Sequence, residues 1–254
     1  MNLVGLPAFV PDWDLPMGVR ALQTECGIGD APFGGFNLGD HVGDDAGQVD
    51  HHRQRLMQAI GATPLWLRQV HGAAVHTLQQ SAEVLVEAPP EADAAMTVQR
   101  GLACTIMTAD CLPVLVADRQ ARVVGAAHAG WRGLAAGVVQ TLLDAMTAVP
   151  GVKRSDLSVW LGPAIGPAEF EVGPEVRAAF VALSPAYGAC FSPRPEAPGK
   201  FLADLAGLTR EILHQHGVDD VTLSGLCTVS SPTRFYSYRR NPVTGRMASL
   251  IWLE

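Results

Sequence analysis

The chain has 254 residues, and its composition is that of a folded protein with a large apolar core. Hydrophobic residues make up 48% of the sequence and charged residues only 17%, which excludes a disordered chain. The 18 Lys and Arg residues against 25 Asp and Glu residues give a net charge of -7, which disfavours nucleic acid and anionic membranes as partners. We expect one domain spanning residues 1–254.

The cysteines and the beginning of the chain bear on its cellular compartment. The five cysteines stand apart, without a CxxC pair or regular spacing. Asp12 and Asp14 interrupt the beginning, and no segment approaches the roughly 20 apolar residues of a membrane-spanning helix. We therefore expect a cytoplasmic protein with reduced thiols and no membrane association.

Patterns of apolar residues predict the elements in chain order. Short apolar runs predict buried strands at residues 102–107, 112–116, 122–127, 157–161 and 221–226. Helical spacing predicts helices over residues 133–148, 173–183 and 205–216, and the proline-rich tract 192–200 predicts a surface loop. Residues 235–238 and 247–253, with a Gly-containing turn between them, predict a hairpin. The mixture predicts an α+β fold in which helices flank a mixed sheet.

Three short sequences combine metal-binding or nucleophilic side chains with small residues at the ends of predicted strands. They contain His71, Cys111 and His128 within residues 69–72, 108–113 and 126–133. Taken singly, such a histidine is more often structural and such a cysteine an inert buried residue. Together they suit Zn²⁺ and leave a fourth tetrahedral position open, as a catalytic zinc site requires. We expect them to converge at one sheet edge, although their spacing matches no short zinc signature.

The other histidines are weaker candidates. His51 and His52 lie in a polar stretch and predict a solvated helix face. His214 and His216 occupy a predicted helix end, where cations are favourable. His76 falls in a predicted strand and is interpreted as structural.

A longer ordered set of motifs carries a resemblance to a known family. The set comprises residues 69–72, 92–97, 108–113, 127–133, 161–166, 170–173, 235–240 and 244–247. It resembles the YfiH/LACC1 family, also called the multicopper polyphenol oxidase or laccase-domain family. The likeness runs from about Phe36 to Leu253 in the same order, so it covers nearly the whole chain.

This resemblance implies a fold, a metal and an activity. The implied fold is a mixed α/β domain similar to bacterial cytotoxin deamidase domains, and the implied metal is zinc held by His71, Cys111 and His128. The implied activity is phosphorolysis of purine nucleosides, namely adenosine, inosine, guanosine and S-methyl-5'-thioadenosine. Deamination of adenosine is implied as well. The older family name implies copper-dependent oxidation of phenols instead.

Phosphorolysis directs attention to candidate phosphate and ribose contacts. Arginine forms bidentate pairs with phosphate, and Arg132 stands at a predicted helix start where free amides also favour anions. Arg240 is the candidate from a second cationic group near the C-terminal end, with salt bridges on a solvated hairpin as the alternative. Asn37 is a candidate for ribose hydroxyls. Asp110, directly before Cys111, either transfers a proton during deamination or supports a ligand.

Three other hypotheses remain open at this stage. A laccase needs several copper sites, and the eight histidines include no paired HxH motifs of that kind, although the three ligands could still bind Cu²⁺. A Cys-His amidohydrolase acting on peptidoglycan precursors would use Cys111 as nucleophile and His128 as base. A binding module would use zinc only for stability.

Overall fold

A computed structural model of the chain describes Met1 and residues 3–29, 32–78 and 88–254. In these residues the helices are α1 (Ala46–Ile60), α2 (Trp131–Ala135), α3 (Val138–Thr147), α4 (Pro174–Leu183) and α5 (Leu205–Gln215). The strands of the amino-terminal half are β1 (Ala8–Phe9), β2 (Val19–Thr24), β3 (Thr63–Leu65), β4 (Val75–Thr77), β5 (Ala94–Thr97), β6 (Leu102–Thr108), β7 (Leu112–Asp118) and β8 (Val124–Ala129). The remaining strands are β9 (Leu157–Leu161), β10 (Glu171–Val172), β11 (Phe191–Pro193), β12 (Phe201–Ala203), β13 (Asp220–Leu223) and β14 (Met247–Leu253).

These strands form two large mixed sheets and one small antiparallel sheet. One large sheet has the order β1-β2-β14-β6-β3, and the other has the order β13-β9-β7-β8-β5-β4. In each, an edge strand pairs in parallel with its neighbour, β3 with β6 and β13 with β9, while the central pairs are antiparallel. The small sheet has the order β10-β12-β11. The predicted mixed fold of strands and helices is confirmed.

Alternating side chains sort the core into layers. In β6, Cys104 and Ile106 pack between the two large sheets, whereas Ala103 packs on the opposite face with Leu56 of α1. In β7, Leu115 points into the inter-sheet layer. Both faces of these strands are thus buried, which explains why they appear in the sequence as continuous apolar runs. The result is α1 on one sheet, two stacked sheets, and α2, α3 and α5 on the other sheet.

The structure confirms several predicted elements and changes the bounds of others. Strands at 102–107, 112–116 and 157–161 are confirmed, as are helices at 173–183 and 205–216. The predicted helix over 133–148 is two helices, because Gly137 adopts a left-handed φ of 89° between α2 and α3. The strand expected at 122–127 occupies Val124–Ala129, and the one expected at 221–226 occupies Asp220–Leu223. The first of these shifts places His128 inside a strand.

The predicted C-terminal hairpin is wrong. Residues 235–238 form no strand, and β14 pairs instead with β2 and β6. Phe235 and Tyr236 are apolar because they are buried in an irregular segment, where the Tyr236 hydroxyl donates to the carbonyl of Cys26. Buried aromatic residues in an irregular segment therefore produced the same sequence pattern as a strand.

Two smaller expectations also change. The proline-rich tract 192–200 begins in β11 and forms the connection of the β11–β12 hairpin. His52 is buried rather than solvated, because its Nδ1 lies 2.9 Å from the carbonyl oxygen of Asn37 and its ring packs against Phe36. Within the described residues, every helix is too short or too polar to cross a membrane.

Candidate metal centre

Three side chains from distant parts of the sequence meet in one cavity, and we call them the metal-ligand cluster: His71, Cys111 and His128. His71 follows β3, Cys111 directly precedes β7, and His128 lies in β8. β7 and β8 are antiparallel neighbours, and the pairing of Leu112 with Ala129 brings Cys111 beside the end of β8. The three ligand atoms lie within 4.8 Å of one another. The structure therefore brings the three predicted ligands together.

The geometry of the cluster fits a small metal ion. His71 Nε2 lies 3.8 Å from Cys111 Sγ, and ordinary tetrahedral zinc geometry places nitrogen and sulfur ligands about 3.6 Å apart. Gly130 keeps the space open, since a Cβ there would lie 2.9 Å from Cys111 Sγ and 3.0 Å from His71 Cδ2. Two imidazoles and one thiol are donors that both zinc and copper accept. The residues present thus fit a metal.

Asp93 is a fully buried carboxylate that holds two of the three ligands. Its Oδ1 accepts hydrogen bonds from His128 Nδ1 at 2.8 Å and from the His71 amide at 2.9 Å. Its Oδ2 accepts from the amides of Val70 at 3.1 Å and Gly72 at 2.7 Å. Burial raises the pKa of Asp93, but the hydrogen bonds from His128 and these amides outweigh burial and lower it. The carboxylate stays ionised and leaves His128 Nε2 free for Cys111 or a metal.

His71 has a strained backbone that serves this arrangement. Its φ is 61°, a left-handed conformation that side-chain-bearing residues rarely adopt. The conformation turns three successive amides toward the Asp93 carboxylate, as in a backbone nest. Gly133 closes the segment from outside, since a Cβ there would lie 2.8 Å from the carbonyl oxygen of Gly72. The strain is thus held in place by Asp93 and by close packing.

Asp93 is not among the site residues predicted from the sequence. The residue falls within the family motif 92–97, yet it stands 35 positions from His128 and has no sequence-visible partner. One general rule could have found it, because a metal-ligating histidine usually donates its second ring N–H to a carboxylate. In the sequence, the visible sign of such a carboxylate is a single aspartate, Asp93, among the alanines 92, 94 and 95.

Cys111 and His128 form a coupled acid–base pair. Burial raises the pKa of Cys111, but the charge and hydrogen bond of His128, together with His71, outweigh it and lower the pKa to about 6. Burial lowers the pKa of His128, whereas Cys111 and Asp93 raise it by a larger amount. Both imidazoles therefore favour the thiolate over the thiol, and a thiolate is the form that binds metal or acts as a nucleophile.

The metal-ligand cluster opens into a cavity of about 430 Å³, a volume suited to a small molecule. Part of the lining is apolar, and two cations, Arg239 and Arg246, also contribute to it. The apolar and aromatic lining residues outside the cluster are Met107, Trp131, Ile165, Phe170, Leu205 and Tyr238.

Arg246 is a half-buried cation in this cavity. Its Nη1 donates to the carbonyl oxygens of Thr244 and Gly245, each at 3.0 Å. Burial lowers its pKa, although an arginine remains charged at neutral pH. Among the described residues, no carboxylate forms an ion pair with Arg246, and Nε and Nη2 have no hydrogen-bond acceptor. The free donors and the absence of a direct ion pair make this a suitable place for an anion.

Asn37 holds the backbone of Arg246, and its side-chain amide has no free donor or acceptor for a ligand. Its Oδ1 accepts from the amides of Gly39 at 2.9 Å and Arg246 at 2.8 Å. Its Nδ2 donates to the Gly39 carbonyl at 3.0 Å and to Asp44 Oδ2 at 2.9 Å. Both donors and both acceptor positions of the amide are thus occupied. The structure does not place Asn37 in the cavity lining.

The two arginines singled out from the sequence also lie outside that lining. The Arg132 guanidinium stacks over the Trp131 ring, 4.6 Å from its centroid. Arg240 Nη1 donates to the carbonyls of Thr228 at 2.8 Å and Val229 at 3.0 Å, and its Nη2 donates to that of Phe235 at 2.6 Å. Arg240 therefore binds its own loop, and its neighbours Arg239 and Arg246 face the cavity.

Asp110 lines the cavity, but other segments occupy its polar atoms. The residue has a φ of 98°, and its carbonyl oxygen accepts from the Ile165 amide at 2.9 Å. Both carboxylate oxygens accept hydrogen bonds from residues 228–246, the C-terminal loop. The side chain thus holds the loop that contains Arg239.

Comparison with known proteins extends these observations. A family model described as "Multi-copper polyphenol oxidoreductase laccase" matches residues 20–254. A Pseudomonas aeruginosa protein named "Purine nucleoside phosphorylase PA4543" is 50% identical over 250 residues, covering 96% of this chain and 97% of that protein. The Escherichia coli protein named "Purine nucleoside phosphorylase YfiH" is 42% identical over 248 residues, covering 96% and 98%.

The fold is also similar to solved structures. The crystal structure of Neisseria meningitidis protein NMB0706 has a TM-score of 0.88 and 41% identity, covering 98% of this chain and 99% of that chain. At this similarity, the order of the layers and of the strands around the cluster is a shared property of both proteins.

Proposed function

The chain belongs to the multi-copper polyphenol oxidoreductase laccase family, and from that premise we propose that it is a metal-dependent purine nucleoside phosphorylase. Such an enzyme breaks the bond between C1' of the ribose and the purine, forms a bond from C1' to a phosphate oxygen, and releases the protonated base. The proposed substrates are adenosine, inosine, guanosine and S-methyl-5'-thioadenosine. The names of the two relatives described above support this reaction class.

The single observation that supports it best is the combination of groups in one cavity. The metal-ligand cluster, two arginines and aromatic side chains share a volume of about 430 Å³. Phosphorolysis requires a site for a dianion next to a site for a flat, weakly polar base. Arg239 and Arg246 suit the first requirement, while Trp131 and Phe170 suit the second.

The cluster and its supports have defined tasks in this proposal. His71, Cys111 and His128 would hold the metal, and Asp93 fixes the ring of His128 through Nδ1. When bound there, zinc supplies Lewis acidity that polarises a substrate atom. Arg246 binds phosphate through its free Nε and Nη2, and its carbonyl contacts hold the guanidinium in place before phosphate arrives.

We propose adenosine deamination as a second activity of the same site. Water replaces the amino group at C6, which releases ammonia and leaves inosine. A metal held by His71, Cys111 and His128 would supply the same polarisation for this exchange. The reaction needs no phosphate, so the two activities separate in one assay.

The test is product analysis with and without phosphate. Adenosine or inosine is incubated with the protein, and adenine, hypoxanthine and inosine are resolved by chromatography. We expect free base only with phosphate, and inosine from adenosine in both conditions. His71→Ala and Cys111→Ala should abolish both reactions, whereas the matched variants His214→Ala and Cys190→Ala, which lie outside the cavity lining, should not.

The same assay, together with chelation, alkylation and oxygen measurements, tests the rival functions. Base release that does not depend on phosphate would assign the protein to the hydrolases. Activity that survives chelation and is lost after alkylation of Cys111 would favour a Cys-His amidohydrolase. Phenol-dependent oxygen consumption by the copper-loaded protein would favour a laccase. A laccase needs several copper sites, whereas the described residues contain a single group of three or more metal-binding side chains.

A further inference from the structure

The C-terminal loop is attached to the metal-ligand cluster through Asp110, and this attachment suggests a role for a residue outside the cavity lining. We propose that Thr228, acting through Asp110, positions Arg239 as a second phosphate-binding cation. The inference rests on the proposed function, because phosphate is the anion that phosphorolysis consumes. Thr228 is a positioning residue in this proposal, and Arg239 is the group that contacts the anion.

The first step is the geometry of the Asp110 carboxylate. Its Oδ1 accepts from the Thr228 hydroxyl at 2.6 Å, and its Oδ2 accepts from the Arg239 amide at 2.6 Å. Thr228 is fully buried, and its own amide donates to the carbonyl oxygen of Ala164 at 3.0 Å. One carboxylate thus holds the loop at two points, and the residue that follows it in the chain is the ligand Cys111.

The second step is the stiffness of the loop between these points. The Arg240 guanidinium bonds the carbonyls of Thr228, Val229 and Phe235, so it joins the beginning of the loop to the residues before Arg239. A displacement of Thr228 is therefore transmitted to Arg239 rather than absorbed in between. The φ of 98° at Asp110 is a strained conformation, and the hydrogen bonds to these segments hold it.

The third step is the state of the Arg239 guanidinium. Its Nη1 and Nη2 donate to the carbonyls of Glu169 at 3.0 Å and Glu171 at 3.1 Å, and it lies 5.6 Å from the Phe170 ring centroid. These neutral acceptors fix the group without cancelling its charge. Across the described ranges, no carboxylate forms an ion pair with Arg239. Arg239 and Arg246 line the same cavity, and phosphate carries enough negative charge to bind both guanidinium groups.

The test is Thr228→Val, which keeps the shape of the side chain and removes the hydrogen bond to Asp110. We expect the KM for phosphate to rise about tenfold, the loss typical for a hydrogen bond to a charged group. The kcat, the KM for nucleoside and the metal content should stay within about twofold of wild type, because the ligands are unchanged. Thr228→Ser retains the hydroxyl and should restore the KM for phosphate.

Two further variants separate positioning from general destabilisation. Thr97→Val removes the hydroxyl of another fully buried threonine, which donates to the carbonyl of Leu78 and accepts from the amide of Gln99. It should lower the melting temperature without changing the KM for phosphate. In an Arg239→Gln background, Thr228→Val should have no further effect on that KM, since the two residues act in series. If Thr228→Val folds poorly, Thr228→Ala removes the same hydroxyl from the Asp110 carboxylate and should show the same selective rise.

The outcomes decide the proposal in either direction. A fall in kcat with an unchanged KM for phosphate, or equal effects of Thr228→Val and Thr97→Val, would overturn it. If the wild-type protein has no phosphorylase activity, the proposed function fails while this inference is still tested by calorimetry with inorganic phosphate. Weaker phosphate binding by Thr228→Val but not by Thr97→Val would support the inference, and equal or absent binding would refute it.

Discussion

The metal-ligand cluster and the C-terminal loop line the same cavity, but they are built differently. Cys111 and His128 stand at the ends of two paired central strands, and Asp93 fixes two of the ligands through four hydrogen bonds. The C-terminal loop has no regular pairing around Arg239, and side-chain bonds to Asp110 attach it. Metal retention and anion binding should therefore respond to different substitutions.

The largest expected effect is on the cluster itself. Cys111→Ser should reduce bound metal to a trace and lower phosphorolysis more than about 100-fold, since losing a ligand exceeds the cost of losing its hydrogen-bond partner. Metal analysis and the chromatographic assay measure both quantities on the same sample. Cys190→Ser is the matched control and should keep both. Normal metal content in Cys111→Ser would contradict the role of the cluster in holding the metal.

Asp93→Asn tests whether the buried carboxylate belongs to the cluster. The substitution keeps the shape but places an NH₂ group against N–H donors, so we expect metal affinity to fall about 10- to 100-fold. The melting temperature should fall as well, because buried donors lose an acceptor at a cost of about 1–3 kcal/mol. Competition with a zinc chelator measures the affinity. An unchanged affinity would show that the His128 ring is held in place without the hydrogen bond to Asp93.

Arg246→Lys tests whether anion binding can be weakened without loss of the metal. Lysine keeps the charge but lacks the planar set of donors, so the KM for phosphate should rise about tenfold. The metal content should stay at the wild-type level, because no ligand is altered. Arg119→Lys, on an exposed ion pair with Asp220, is the control. Loss of metal from Arg246→Lys would show that the two regions are not independent.

The smallest effect is expected at Arg132. The guanidinium stacks on Trp131 and lies outside the described cavity lining. Arg132→Ala should change the KM for phosphate by less than about twofold, since an exposed cation–π contact contributes little. Steady-state kinetics with varied phosphate provide the measurement. A tenfold rise would restore the role that the sequence suggested for this residue.

The two regions also differ in how far the sequence predicts them. Strands such as β6 and β7 are predictable because both of their faces are buried, which leaves continuous apolar runs. The candidate ligands His71, Cys111 and His128 are recognisable because few kinds of side chain bind transition metals. These residues are recognised by their type alone, without knowledge of the backbone conformation.

Residue type does not decide the roles of the arginines. Arg239 and Arg240 are adjacent and chemically identical, yet one faces the cavity and the other binds its own loop. That difference depends on the direction of the backbone at Asp110, which is set by contacts more than 50 residues away. The hairpin prediction failed for the same reason, since the partners of β14 are β2 and β6 rather than the preceding segment.

The central claim is that His71, Cys111 and His128 together hold one metal ion on which catalysis depends. The most direct measurement is the metal content of the purified protein alongside phosphorolysis, before chelation, after chelation and after zinc is returned. We predict about one zinc per chain, activity that disappears with the metal, and recovery on adding zinc. Full phosphate-dependent turnover by protein stripped of metal would contradict the account.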